Sequence, residues 1–220
     1  MEQWKRDFLN TCNHIDALQF GKFTLKSGRE SPYFFNAGKF NTGDSLMRLG
    51  YAYAKATLQS GISPEVFYGP AYKGIPLATA TSTAYDEMYF PKETGWCFNR
   101  KEEKTHGDGG ILVGASLDNK RVLITDDVIT SGSSVHESVR IIKRNGGIPV
   151  GVCIGLDREE CGTKTALSGA EEITEKYDIP VLSIIGLTDL IGFCESDSSL
   201  AKYVSKITSY RDRYGVKNVA

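Results

Sequence analysis

No run of apolar residues in this 220-residue chain approaches the roughly 18–20 needed to cross a bilayer. Residues 1–14 mix charged and apolar side chains with no continuous apolar stretch, so no secretory signal is expected. An excess of either charge is also missing. Lys and Arg number 26 against 27 Asp and Glu, for a net charge of −1. That balance gives no long-range field to attract a nucleic acid or a membrane surface, so any basic cluster is read as a local binding site. Cysteine is scarce and unpatterned: five residues (12, 97, 153, 161 and 194) with no C-x-x-C spacing. Neither a zinc site nor a disulfide framework is expected. Cys97 and Cys153 stand in apolar runs, where free thiols pack as small hydrophobes. A reducing, cytoplasmic setting fits this usage.

What is present is an ordinary globular composition, 40% apolar and 24% charged. At this length one domain is expected, with residues 1–43 as an N-terminal hood, 44–188 as an α/β core and 189–220 as a helical tail. Residues 2–19 carry Trp4, Phe8, Leu9, Cys12 and Ile15 at helical spacing. Residues 20–43 are rich in glycine and aromatics with short β-like pieces. Asp44 reads as the N-cap of a helix that uses Leu46, Leu49, Tyr53 and Ala56 and stops at Gly61. Beyond it, apolar strand-like runs (66–68, 121–125, 150–156, 181–187) alternate with helical stretches (74–89, 134–145, 165–177). Residues 96–98 and 111–113 flank a polar loop, as in a hairpin. This alternation predicts a mostly parallel sheet covered by helices, with ligands at the carboxyl ends of its strands. The tail, ending in TyrArgAspArgTyr at 210–214, reads as packing or dimer support.

Residues 121–135 carry the most chemistry. The apolar run Val122–Thr125 ends in two adjacent acids, Asp126 and Asp127. Val128 and Ile129 follow, then a hydroxyl-rich turn, Thr130-Ser131-Gly132-Ser133-Ser134, and a helical pattern begins. Backbone N–H groups at a helix N-terminus favour a phosphate dianion. Carboxylates just upstream can accept hydrogen bonds from ribose hydroxyls. The plainer reading of the turn is helix capping, but adjacent carboxylates repel and cost stability unless a ligand or metal uses them.

This segment resembles the signature of type I phosphoribosyltransferases, which bind 5-phospho-α-D-ribose 1-diphosphate (PRPP). Four further stretches, 23–43, 67–78, 98–110 and 155–159, look like the orotate phosphoribosyltransferase family in its own order. The resemblance implies that family's fold, with the N-terminal hood and a flexible catalytic loop. It implies transfer of phosphoribose from PRPP to orotate, with Mg²⁺ bound mainly through PRPP and no protein metal ligand. Residues 126–134 would hold the ribose and its 5-phosphate. Ser133 replaces the usual threonine of this loop and keeps the hydroxyl. Tyr72 and Lys73, between Gly69 and Gly74, would bind diphosphate. Arg100, Lys101, Lys104 and His106 would lie on a lid over the diphosphate, with Lys26 adding charge. His106 is left with two roles, a proton donor or a hydrogen-bond donor. Lys104, His106, Lys26, Asp126 and Asp127 are the expected catalytic residues. For orotate, Arg158 would meet the carboxylate, Phe34 and Phe35 would supply a flat wall and backbone groups, and Thr130 would touch the base. The plainer reading of Arg158 is a salt bridge with Asp157 or Glu159; that of the two phenylalanines is core packing. A homodimer is implied, with lid and Lys26 shared across subunits, and no nucleic-acid or membrane partner. Two alternatives stay open: a transferase for another base, and a PRPP-binding regulator.

Overall fold

The computed structural model describes residues 1–89, 93–104, 110–130, 132–162 and 165–216, without the side chains of 103 and 104. Helix α1 (Gln3–His14) buries Phe8, Leu9 and Cys12. It ends earlier than the helical spacing to residue 19 suggests. Asp16 takes a left-handed conformation, φ 56°, which Asp tolerates better than most residues, and the chain turns into β1 (Leu18–Thr24). Strand β1 pairs antiparallel with β2 (Glu30–Phe35) as a separate two-stranded hairpin, the expected hood.

Helix α2 (Gly43–Gln59) is capped two residues before the predicted cap. Thr42 is the N-cap, in a reciprocal capping box with Ser45. Asp44 lies in the first turn and pairs with Arg48 at 2.8 Å. The core then runs β3 (Val66–Gly69), α3 (Gly74–Met88), β4 (Gly95–Lys104), β5 (Gly110–Gly114), β6 (Arg121–Asp126), α4 (Ser133–Arg144), β7 (Ile148–Asp157), α5 (Gly169–Tyr177) and β8 (Val181–Gly186). Two helices follow, α6 (Leu187–Ser196) and α7 (Ala201–Tyr214), so the expected boundary at 189 falls inside α6.

The main sheet has the order β5-β4-β3-β6-β7-β8. All pairs are parallel except β4–β5, the expected hairpin. The central strands read as nearly continuous apolar runs because both faces are covered. Successive residues alternate between two cores. Phe67, Leu123 and Cys153 face α1, α2 and α3; Val66, Tyr68, Val122, Ile124 and Val152 face α4 and α5. Cys97 and Cys153 are fully buried, as their apolar settings suggest.

The topology positions the site. Strand β3 leads through α3 to β4 on one side, and β6 leads through α4 to β7 on the other. Strand order reverses between β3 and β6, which opens a crevice at their carboxyl ends.

Candidate active site

Two loops meet in that crevice. The first leaves β3 at Gly69. A Cβ there would lie 1.9 Å from the Gly74 carbonyl oxygen, and a Cβ on Gly74 would lie 2.5 Å from Pro70 Cδ. Both positions therefore need glycine for the loop to fold back on itself. The Ala71–Tyr72 peptide is cis. Asn99 of β4 braces this loop: its Oδ1 accepts from Tyr68 Oη at 2.9 Å and from Ala71 N at 3.1 Å. Sequence reasoning missed Asn99, because only the pairing of β3 with β4 puts it beside residue 71.

The second loop leaves β6 at the acid pair. Asp126 and Asp127 are both buried. Ser134 Oγ donates to Asp126 Oδ2 at 2.8 Å, and the Asp127 N–H donates to Asp126 Oδ1 at 2.9 Å. Tyr53 of α2 donates to the Asp126 carbonyl at 2.8 Å. Burial pushes the Asp126 carboxyl up to about 6, with Asp127 adding to the rise and Ser134 opposing it. Asp127 takes a different partner, the Lys73 ammonium, at 2.8 Å. The acids that repel each other in sequence are thus separated by their contacts: one turns to Ser134 at the start of α4, the other to Lys73 in the loop after β3.

Val128 and Ile129 pack against the two cores, while Thr130 is exposed. Gly132 is the N-cap of α4 in a left-handed conformation, φ 67°, and as glycine it brings no capping side chain of its own. The first-turn N–H groups of a helix need partners from outside the helix. Ser131 lies outside the described residues. A cleft of about 200 Å³ joins Pro70 and Ala71 of one loop to Ser133 and Ser134 of the other, with Asn99 and Lys101 on its wall.

The remaining expected residues scatter more. Tyr72 is 72% exposed at the crevice rim. Arg100 donates to the carbonyls of Gly110 at 3.1 Å and Leu112 at 3.2 Å, clamping the β4–β5 hairpin. Lys26 is exposed at the hood hairpin tip and enters none of the contacts above. His106 and the side chain of Lys104 lie outside the described residues.

The acceptor side differs from expectation in two ways. Phe34 and Phe35 are neighbours in β2, so they point to opposite faces. Phe34 is 38% exposed and stacks on Phe23, with centroids 5.6 Å apart. Phe35 is buried in the core. A wall built from both rings is therefore not formed, and only the backbone of Phe35 is left to contribute. Arg158 is nearly buried, and its salt-bridge partner is neither Asp157 nor Glu159 but Glu160, at 2.7 Å. Its Nη2 donates to Ser31 Oγ at 2.9 Å and to Tyr210 Oη at 3.4 Å. The tail, read as packing or dimer support, thus touches the residue expected to select the base.

Comparison with known proteins places this geometry. A model of the phosphoribosyl transferase domain matches residues 41–166. Over 216 residues, 98% of this chain and the whole of the relative, the chain is 50% identical to an orotate phosphoribosyltransferase of Thioalkalivibrio sulfidiphilus. The chain belongs to the orotate phosphoribosyltransferase family. A crystal structure of the family member from Francisella tularensis superposes with a TM-score of 0.83 at 36% identity, covering 95% of this chain and 99% of that one. The Mycobacterium tuberculosis family member, solved in complex with PRPP, shares the fold at a TM-score of 0.64 and 23% identity, covering 85% and 98%. In this chain the crevice between β3 and β6 brings together Lys73, Asp126, Asp127 and the N-terminus of α4.

Proposed function

We infer that this protein transfers the 5-phosphoribosyl group from PRPP to orotate, giving orotidine 5′-monophosphate and diphosphate in pyrimidine nucleotide synthesis. The observation that carries this is the acid pair standing between the N-terminus of α4, with glycine at its N-cap, and a lysine-bearing glycine loop at the switch point. In this reading the 5-phosphate sits on the first-turn N–H groups of α4 and the hydroxyls of 130–134. Asp126 and Asp127 accept hydrogen bonds from the ribose hydroxyls and stabilise positive charge growing on the sugar as the anomeric bond breaks. Lys73 exchanges Asp127 for the departing diphosphate. Lys101, on the wall of the same cleft, faces the same leaving group. Arg158 meets the orotate carboxylate, and Phe34 lies along its ring. The ring nitrogen attacks with inversion, and the protein's main contribution is positioning and neutralisation of charge.

Phosphoribosyltransferases generally use Mg²⁺ with PRPP, and the ion neutralises the leaving diphosphate. The site suits an ion carried mainly by the substrate. Among the described residues no three acid, His or Cys side chains gather to cage a metal, and Mg²⁺ commonly keeps phosphates and waters as ligands. Lys26, Lys104 and His106 are assigned to the diphosphate from their motifs alone, as is a homodimer in which they serve the neighbouring subunit. The chain acts as one unit of hood, core and tail. No helix among the described residues is long and apolar enough to cross a membrane, and a cytoplasmic site of action fits.

The test is loss of orotate absorbance with purified protein, PRPP and Mg²⁺, with uracil, hypoxanthine and nicotinate in parallel. PRPP-dependent loss of orotate alone is expected. Turnover of a different base would keep the PRPP site and remove Arg158 and Phe34 from the acceptor site.

A further inference from the structure

Arg158 does not stand alone. Glu160 accepts from two arginines at once: Oε1 from Arg158 Nε at 2.7 Å and Oε2 from Arg29 Nη1 at 3.3 Å. All three side chains are largely out of solvent, at 10%, 12% and 16% exposure for Arg158, Glu160 and Arg29. Aromatic faces enclose them. The Arg158 guanidinium lies 4.4 Å from the Tyr33 ring centroid and 5.9 Å from that of Tyr210, and Arg29 lies 4.8 Å from that of Tyr214. Tyr210 and Tyr214 come from α7, and the chain after that helix is tied to the same loop. Val216 N donates to the Glu159 carbonyl, and Cys161 N donates to the Tyr214 carbonyl, each at 2.9 Å.

Two guanidinium groups share one carboxylate, so the cluster keeps one net positive charge. Desolvating charges costs energy that a hydrophobic cluster of the same volume would not incur, so such a triad is poor design for stability alone. It suits an anion site, because Arg158 is held through Nε by Glu160 and through Nη2 by Ser31 and Tyr210 while its charge is only half cancelled. We propose that Glu160 and Tyr210 are positioning residues for Arg158, aiming its guanidinium at the carboxylate of the acceptor base, and that Arg29 preserves the net positive charge the base requires. The C-terminal helix then takes part in base selection through Tyr210. This rests on the assignment of Arg158 to orotate given above.

Steady-state kinetics of the full-length enzyme with Arg158→Gln, Glu160→Gln, Arg29→Gln and Tyr210→Phe tests it. Glu160→Gln raises the net charge of the cluster yet loses its aim. Its orotate KM is expected to rise about tenfold, while the PRPP KM stays within about twofold. Tyr210→Phe keeps the ring and loses the hydroxyl, for a smaller rise of about threefold in orotate KM. Arg29→Gln raises orotate KM by cancelling the charge. In an Arg158→Gln background, Glu160→Gln should add nothing, because its effect passes through Arg158. An unchanged or lower orotate KM in both Glu160→Gln and Tyr210→Phe overturns the positioning role, as does a parallel rise in both substrates' KM. Should Glu160→Gln fail to fold, the near-isosteric Tyr210→Phe decides by the same KM split. An unchanged orotate KM in Arg158→Gln instead removes the assignment on which the proposal rests, so the two failures are told apart.

Discussion

Asp126, which we assign to the ribose hydroxyls, weakens the fold that holds it. Its carboxyl is raised by burial from an ordinary 3.8 to about 6. Below the unfolded value both states are protonated and there is no penalty. As pH rises through the interval, the unfolded chain ionises first and folding loses stability, up to about 3 kcal/mol above the folded value. Asp126→Asn keeps the shape, accepts from the Asp127 N–H through its one oxygen and can donate its amide N–H to the Ser134 hydroxyl, but cannot ionise. Its melting temperature should exceed that of the parent at about pH 7–8, with the gap closing toward pH 4, while turnover falls by orders of magnitude. Equal melting temperatures across that range would mean that the buried carboxyl imposes no strain. The pair was legible in sequence because it interrupts an apolar run at its end. The two phenylalanines were legible in kind but not in direction. Period-two alternation already requires adjacent strand residues to face opposite ways, so only one of Phe34 and Phe35 could ever line a site by its ring.

The elements were legible wherever periodicity and capping agree. The parallel sheet follows from unbroken apolar runs separated by helical stretches, and its switch point from their order. What periodicity does not show is how closely two elements approach. Gly50 of α2 sits against α3 so tightly that a Cβ would lie 2.5 Å from the Ala80 carbonyl oxygen and 3.1 Å from its Cβ. In isolation Gly50→Ala would favour the helix by about 1 kcal/mol. Here the added methyl meets backbone, so the helices must part, and overpacking of that kind costs about 1–3 kcal/mol. A net loss of stability in denaturant melts is expected, with kcat changed less, because α2 reaches the acid pair only through the Tyr53 hydroxyl on the Asp126 carbonyl. A stabilised variant would show that the two helices separate freely. The β4–β5 hairpin carries a complementary expectation. Arg100 clamps the two strands by bonding β5 carbonyls, whereas Lys104 is assigned to the diphosphate. Lys104→Ala should lower kcat by about 100-fold or more with little change in orotate binding, and full turnover would remove it from the leaving-group site.

At the scale of the whole molecule, sequence order hides the contact that matters most. Arg158 and Tyr210 are 52 positions apart, and nothing local in TyrArgAspArgTyr marks it as anything but a basic-aromatic helix end. The fold brings hairpin, strand end and tail together on one guanidinium, so the surroundings of Arg158 are a product of long-range packing, while the loop 126–134 is one local stretch of sequence. The same distinction governs assembly. If Lys104 reaches the neighbouring subunit's crevice, a site is made of one chain's Asp126 and the other's Lys104. Lys104→Ala and Asp126→Asn are then each inactive alone, but a mixed dimer holds one site with both residues intact and one with neither. Random reassortment of equal amounts makes half the dimers mixed, each with one working site of two, so about a quarter of the parent activity should return. A lid serving its own chain leaves every site in the mixture with one defect, and no activity returns. Reassortment through brief denaturation, followed by the orotate assay, separates the two, and the size of the recovery counts the sites built from two chains.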